Sequence, residues 1–162
     1  MAKANKAGAT TFTTPSDREI VITRVFDAPR RLIFETWTNP EHLPHWMLGP
    51  SGWTMPVCEI DLRPGGAWHF GWRHSNGTEM EMRGVYQEIV PPERLVSTES
   101  WGGDWPETLN TLTLSEEDGK TTITNTVLYP SKEARDAALQ TGMKEGMSLS
   151  FDRLAEYLRN MT

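Results

Sequence analysis

Residues 67–82 read AWHFGWRHSNGTEMEM, and this stretch decides the fold. Trp68, Phe70 and Trp72 alternate with polar or small residues, so they share one face of a strand. The tetrapeptide at 75–78, with Asn-Gly at its centre, is typical of a tight hairpin turn. Met80 and Met82 then return on the same face. The sequence therefore predicts an antiparallel hairpin with one aromatic and thioether surface.

Further strands are predicted on both sides of this hairpin, about six to seven in all. They are expected at 18–26, 53–62, 67–74, 79–90, 94–101, 108–115 and 121–129. Pro56 suggests an edge strand or a bulge, because proline cannot donate a ladder hydrogen bond. Gly84 interrupts the alternation of its strand and suggests a second bulge.

Helices are predicted at two places. Asp27-Ala28-Pro29 and Asn39-Pro40-Glu41 each combine a capping residue with a proline at an early helical position, and each predicts a short helix. The first is expected to end near Thr38 and the second near Trp46. From Ser131 the chain is predicted to be helical to its end, with Gly142 and Gly146 interrupting or bending the helix. One apolar stripe is formed by Met143, Met147, Phe151, Leu154 and Leu158. Only this helix is long enough to cover the sheet, so we predict an α+β fold with a curved antiparallel sheet around the C-terminal helix.

The composition of the chain limits the classes of protein to which it can belong. The chain has 162 residues, which predicts one domain, at 17–162, after a flexible tail at 1–16. The net charge of -6 argues against nucleic-acid binding. Apolar runs are too short for membrane insertion or a signal peptide. The single cysteine, Cys58, excludes an internal disulfide, so we expect a cytoplasmic protein. We also expect a monomer or a weak homodimer.

Several motifs together resemble one family. They are RVFDAP at 24–29, WTNPEHL at 37–43, DLRPGG at 61–66, GVYQEIVPPERLV at 84–96 and GMKEGM at 142–147. In this order they resemble the bacterial single-domain relatives of the activator of the ninety-kilodalton heat-shock chaperone ATPase, within the START-like (SRPBCC) superfamily. The resemblance implies the helix-grip fold and a cavity between sheet and long helix that often takes apolar ligands.

The resemblance also bears on chaperone activation. In the eukaryotic co-chaperones this domain is joined to a separate N-terminal domain that supplies much of the chaperone contact. Only about 17 residues precede the predicted fold here, so we expect no strong activation by this chain alone.

The candidate cavity residues are large apolar side chains from the sheet and the helices. They are Phe34, Trp37, Trp68, Phe70, Trp72, Met80, Met82, Trp101, Met143, Met147 and Phe151. Tryptophan offers a wide apolar face with one donor, and methionine adapts to irregular ligands. Ordinary core packing is the alternative interpretation of the same residues. Gly146, within the helical stripe, allows either close packing or an empty space.

The sequence offers little support for a metal site or a catalytic site. His42 and His45 have a spacing suited to two metal ligands, but no third ligand follows in a known pattern. Glu79 and Glu81 share a strand face, which the alternation places in solvent. Cys58 lies in an apolar strand and is expected to be inert. Asp61 and Arg63 are expected to pair locally. We therefore predict no metal, no cofactor and no identifiable catalytic residue.

Three functions remain open. The first is a protein that binds a small apolar or aromatic molecule in the sheet–helix cavity. The second is a co-chaperone-like or stress-related interaction module, with a chaperone as partner. The third is a cyclase- or aromatase-type enzyme on the same fold, since positioning in a dry cavity and one acid or base suffice for such chemistry.

Overall fold

The computed structural model describes residues 9–102 and 105–161. Its strands are β1 (Thr11–Thr13), β2 (Glu19–Phe26), β3 (Trp53–Ile60), β4 (Ala67–His74), β5 (Glu79–Val90), β6 (Arg94–Glu99), β7 (Thr108–Glu117) and β8 (Lys120–Leu128). The helices are α1 (Arg30–Thr38), a 3-10 helix (Leu43–His45), α2 (Lys132–Leu139) and α3 (Met143–Met161).

The described strands form one antiparallel sheet in the order β1-β2-β8-β7-β6-β5-β4-β3. The α+β, helix-grip prediction is confirmed, with one strand more than expected. The additional strand is β1, which pairs with β2 through Phe12 and Ile22. The prediction of a flexible tail at 1–16 is therefore wrong for Thr11–Thr13, because these β-prone residues satisfy their backbone groups on the open edge of β2. The rest of that prediction, at 1–8, lies outside the described residues.

The two predicted strand irregularities have different outcomes. Pro56 lies on the edge strand β3, where the register with β4 shifts between Thr54 and Val57, as predicted. Gly84 is not a bulge: it pairs regularly with Trp68. The shift in β5 falls between Tyr86 and Glu88 instead. A residue without a side chain interrupts a hydrophobic pattern without interrupting hydrogen bonding.

The C-terminal helical region is interrupted at Gly142, as predicted, and consists of α2 and α3, whereas Gly146 lies within α3. Ser131 caps α2 as predicted, because its hydroxyl oxygen accepts a hydrogen bond from the Ala134 backbone N–H at 3.1 Å. The Thr141 hydroxyl donates to the Ala138 carbonyl at 2.6 Å and accepts from the Met143 N–H at 3.2 Å. This side chain therefore ends one helix and starts the next. Predicted helix at residue 162 and predicted loop at 103–104 lie outside the described residues.

Three attachments hold α3. The 2.7 Å ion pair between Arg24 on β2 and Asp152 joins the helix to the sheet. The Gly49 N–H donates to the Ser150 hydroxyl at 2.8 Å, which joins the helix to the loop after the 3-10 helix. Fully buried Phe151 and Leu154 enter the core. Within 9–102 and 105–161, none of the helices has the length and apolar character needed to cross a membrane.

Candidate functional site in the inner face of the sheet

An aromatic row runs along the inner face of β4; we use this name for Trp68, Phe70, Trp72 and Trp101. Neighbouring ring centroids are 4.7 Å apart for Trp68 and Phe70, and 6.1 Å apart for Phe70 and Trp72. Trp101 stacks on Trp72 at 5.6 Å with a 19° angle between the ring planes. The Trp72 indole N–H donates to the Met47 carbonyl at 2.8 Å. The predicted hairpin face thus extends to β6 and the loop after the 3-10 helix.

The two predicted methionines of the hairpin differ in burial. Met82 lies opposite Phe70 and is buried. Met80 lies opposite Trp72 nearer the turn, and 42% of its surface is exposed. Both share the inner face with the aromatic row, but only Met82 is covered by neighbouring elements.

Three other candidate residues, Phe34, Trp37 and Phe151, belong to the same hydrophobic core as the aromatic row. Phe151 is fully buried, with its ring centroid 5.6 Å from Trp37 and 6.3 Å from Trp46. Trp37 and Trp46 are 4.8 Å apart, and buried Phe34 is part of the same hydrophobic core. Rings at these separations leave little space between them. The structure therefore places Phe34, Trp37 and Phe151 in the packed core, where side chains of α1 and α3 meet.

The first half of α3 is packed less tightly than the second. Met143 and Met147 are only partly buried, whereas Leu154 and Leu158 are buried. Between the two methionines, a Cβ added to Gly146 would meet no atom within 4 Å. Of the two interpretations of this glycine, an empty space at the helix surface is the one that fits.

A polar group that the sequence did not nominate lies beside the aromatic row. Because Arg83 pairs with Ser100 and Tyr86 with Ser97, the register places Glu99 opposite Gly84. The Glu99 carboxyl accepts hydrogen bonds from the Trp101 side chain and the Asn110 side-chain amide. The Asn110 amide also donates to the Thr108 hydroxyl at 3.1 Å. Glu99 is thus an acid on the inner face of the sheet, held by two uncharged donors.

Burial has the largest effect on the pKa of Glu99. It raises the pKa of Glu99 to about 7, and the hydrogen bonds from Trp101 and Asn110 act against that increase. Burial and the nearby Glu99 charge raise the pKa of Tyr129 to about 12. Burial also raises the pKa of Tyr86, well above its usual value. Glu99 as a whole is half-buried, and its carboxyl is the part withdrawn from solvent.

The alternation of β6 hid this acid from sequence analysis. Leu95, Ser97 and Glu99 form one set of alternate residues, and Val96 and Thr98 belong to the other. Both sets mix apolar and polar side chains, so a period of two does not identify the inner one. The indirect signal was Gly84, opposite Glu99, because the absence of a side chain there makes room for the Trp68 ring.

The remaining charged candidates lie outside this site. Exposed Glu79 and Glu81 pair with Arg73 and with His69 and Arg83, respectively, on the outer face, as predicted. The predicted local pair of Asp61 and Arg63 is present at 2.9 Å. Burial raises the pKa of the Cys58 thiol to about 11, which makes it a poor nucleophile.

The two histidines of the metal hypothesis contact the C-terminal helix. His42 Nδ1 is 2.7 Å from the Tyr157 hydroxyl, and its Nε2 is 3.4 Å from Glu35. The His45 ring stacks on Tyr157 at 5.3 Å. Both side chains therefore attach the 3-10 helix to α3.

Two open recesses lie elsewhere on the described surface. One, of about 460 Å³, runs along α3 and is lined by His45, Leu149, Asp152, Arg153, Glu156, Tyr157 and Asn160. The other, of about 280 Å³, is lined by Arg18, Gln87, Thr98, Glu107, Thr108, Leu109, Leu128, Tyr129 and Pro130. Neither is lined by the aromatic row.

The eight-stranded sheet, its long C-terminal helix and its inner face define a helix-grip domain of the START-like (SRPBCC) superfamily. The chain belongs to the family described as activator of Hsp90 ATPase homolog 1-like protein, whose model matches residues 27–159. This confirms the resemblance found in the sequence.

Solved structures of several bacterial proteins are similar to this chain. A Rhodobacter sphaeroides protein is 27% identical, with a TM-score of 0.88 over 95% of this chain and 100% of that one. A Mycobacterium smegmatis protein is 25% identical, with a TM-score of 0.83 over 93% of this chain and 97% of that one. An AHSA1-like protein from Aeromonas hydrophila shares the fold, with 16% identity and a TM-score of 0.70 over 88% and 95% of the two chains. No curated protein matches this sequence at a significant level.

Proposed function

We propose that this chain binds a small, largely apolar molecule between the inner face of its sheet and the first half of α3. The observation that carries the proposal is the position of Glu99, a half-buried acid within an aromatic surface. Small-molecule sites commonly combine apolar and aromatic walls with a few polar groups that orient the ligand. Here the aromatic row supplies the wall, and Glu99 and Asn110 supply the polar groups.

The packing of α3 supports the same location. Met143 and Met147 are only partly buried, and a Cβ added to Gly146 between them would meet no atom within 4 Å. Flexible thioether side chains adapt to ligands of irregular shape. The second half of the helix, with buried Leu154 and Leu158, holds the fold together. In this proposal one end of α3 covers the ligand and the other anchors the helix to the core.

Native mass spectrometry of freshly purified protein tests the proposal directly, and we expect a co-purifying small molecule. Titration with an apolar fluorescent dye is the second test, with saturable binding expected. Trp101→Ala should weaken dye binding, because this ring is 40% exposed and stacks on Trp72. Trp105→Ala is the matched control, since Trp105 is similarly exposed, at 46%, and lies outside the aromatic row. Equal effects of the two substitutions, or a non-saturating titration, would contradict the proposal.

Two alternatives from the sequence stay predictions. A co-chaperone-like role is supported by family membership. A cyclase- or aromatase-type activity would use Glu99 as its acid or base, and a group that titrates near neutral pH suits that role. A cytoplasmic location also stays a prediction, based on the single cysteine.

A further inference from the structure

Glu99 faces the interior without a cationic partner among the described residues that act on its carboxyl. Its hydrogen-bond donors, Trp101 and Asn110, are both uncharged. The other titratable group that interacts with it is the Tyr129 hydroxyl, which is neutral at physiological pH because its pKa is about 12. A carboxylate withdrawn from water is costly unless a positive charge compensates it. Protonation relieves that cost at low pH, and a cationic group of a ligand would relieve it when Glu99 is ionised.

Two indole rings, those of Trp68 and Trp101, lie beside Glu99. Glu99 lies opposite Gly84, and a Cβ at Gly84 would be 2.3 Å from the Trp68 ring, so that ring covers the backbone beside the carboxyl. On the other side, Trp101 donates to Glu99 and stacks on Trp72. Aromatic faces attract cations, and tryptophan does so most strongly. A carboxylate between indole rings is chemically suited to a positively charged nitrogen.

We propose that the ligand of this site is an amine, whose cationic nitrogen pairs with Glu99 and whose aryl or alkyl body lies along the aromatic row. This inference rests on the proposed function and specifies the substrate class of that site. An anionic ligand would be repelled by Glu99, and a neutral ligand would leave the carboxylate uncompensated. The net charge of -6 also favours the approach of cations.

Three probes of similar shape and different charge test the inference: naphthylmethylamine, naphthylmethanol and naphthoic acid. We expect calorimetric titration to show the amine binding about tenfold or more tightly than the other two, as a charged hydrogen bond allows. Glu99→Gln should remove that preference, so that the amine and the alcohol bind with similar affinity. Glu88→Gln is the control, because Glu88 is an exposed glutamate of β5 that pairs with Arg94.

A second measurement uses the unchanged protein, in case Glu99→Gln does not fold. Below pH 7 the Glu99 carboxyl is largely protonated, since burial raises its pKa to about 7. Binding of the ammonium form ionises the carboxyl and releases up to one proton to the buffer. Titrations in two buffers of different ionisation enthalpy measure this release. We expect proton release with naphthylmethylamine and none with naphthylmethanol.

The outcomes separate the two proposals. Equal, saturable binding of amine and alcohol, weakened by Trp101→Ala, would overturn the amine inference and leave the binding site intact. Absence of binding by all three probes, together with no co-purifying molecule, would overturn both. If the folded Glu99→Gln variant still preferred the amine, the cationic nitrogen would pair with another residue, and the inference would be refuted.

Discussion

The indole ring of Trp68 lies against the backbone of Gly84, its register partner on β5. A Cβ at position 84 would be 2.3 Å from the Trp68 ring and 2.1 Å from the Thr98 carbonyl oxygen. Side chains do not approach this closely, so the aromatic row requires a glycine here. This contact brings the ring beside Glu99 and joins β4, β5 and β6 at the centre of the candidate site.

Gly84→Ala should therefore destabilise the protein by about 1–3 kcal/mol, because the backbone carbonyl of Thr98 cannot move away as a side-chain end could. Urea unfolding followed by circular dichroism measures the loss. Gly146→Ala is the matched control: it meets open space within a helix, so it should stabilise the protein by about 0.5–1 kcal/mol. Similar losses for both variants would contradict the close approach at Gly84.

The two halves of α3 should respond differently to truncation. Phe151→Ala removes a fully buried ring and should cost about 3–5 kcal/mol. Met143→Ala should cost only about 1 kcal/mol, because the site of Met143 is partly exposed. Urea unfolding of both variants, with Leu154→Ala as a second buried reference, measures the difference. A loss at Met143 as large as that at Leu154 would show that the first half of the helix covers a filled core.

The acid on the inner face predicts a pH-dependent stability. The pKa of Glu99 rises from 4.5 to about 7 on folding, so the folded state favours the protonated form. The corresponding stability is complete below about pH 4.5 and is lost as the pH rises through about 7. Glu99→Gln, which does not titrate, should therefore gain on the order of 3 kcal/mol relative to the unchanged protein between pH 4.5 and pH 8.

The measurement is urea unfolding of both proteins across that pH range. Glu81→Gln is a control of opposite sign, because hydrogen bonds from His69 and Arg83 lower the pKa of exposed Glu81. A constant stability difference between Glu99→Gln and the unchanged protein at all pH values would rule out a buried, titrating Glu99.

Because Asp152 pairs with the buried Arg24, we expect the loss of Asp152 to destabilise the protein more than the loss of an exposed ion pair on the same helix. The Arg24 side chain is only 3% exposed, and among the described residues its guanidinium contacts Asp152 and the Thr10 hydroxyl. Removing Asp152 leaves a buried cation with a weaker partner, so Asp152→Ala should cost about 1–3 kcal/mol. Glu156→Ala, which removes an exposed ion pair on the same helix, should cost less than about 0.5 kcal/mol. Thermal unfolding compares the two variants, and equal effects would contradict a buried role for Arg24.

Local sequence determined the elements and one face of the sheet. The turn at 75–78, the alternation of Trp68, Phe70 and Trp72, and the Ser131 cap each depend on residues close together in the chain. Local propensity and periodicity were sufficient there, and the order of elements then predicted the helix-grip fold.

Tertiary structure alone decided which predicted residues meet. Phe34, Trp37, Phe151 and Trp68 share one hydrophobic core, and within it the Phe151 ring of α3 contacts the Trp37 ring of α1. Glu99 became a candidate only through its neighbours on β5, β6 and β7. The alternation of side chains along a strand indicates which residues share a face. The pairing register, the burial of a side chain and the pKa of an acid depend on atoms that are distant in sequence. The hairpin could therefore be predicted from its own residues. The position and the pKa of Glu99 beside it depend on neighbouring strands that only the folded sheet brings together.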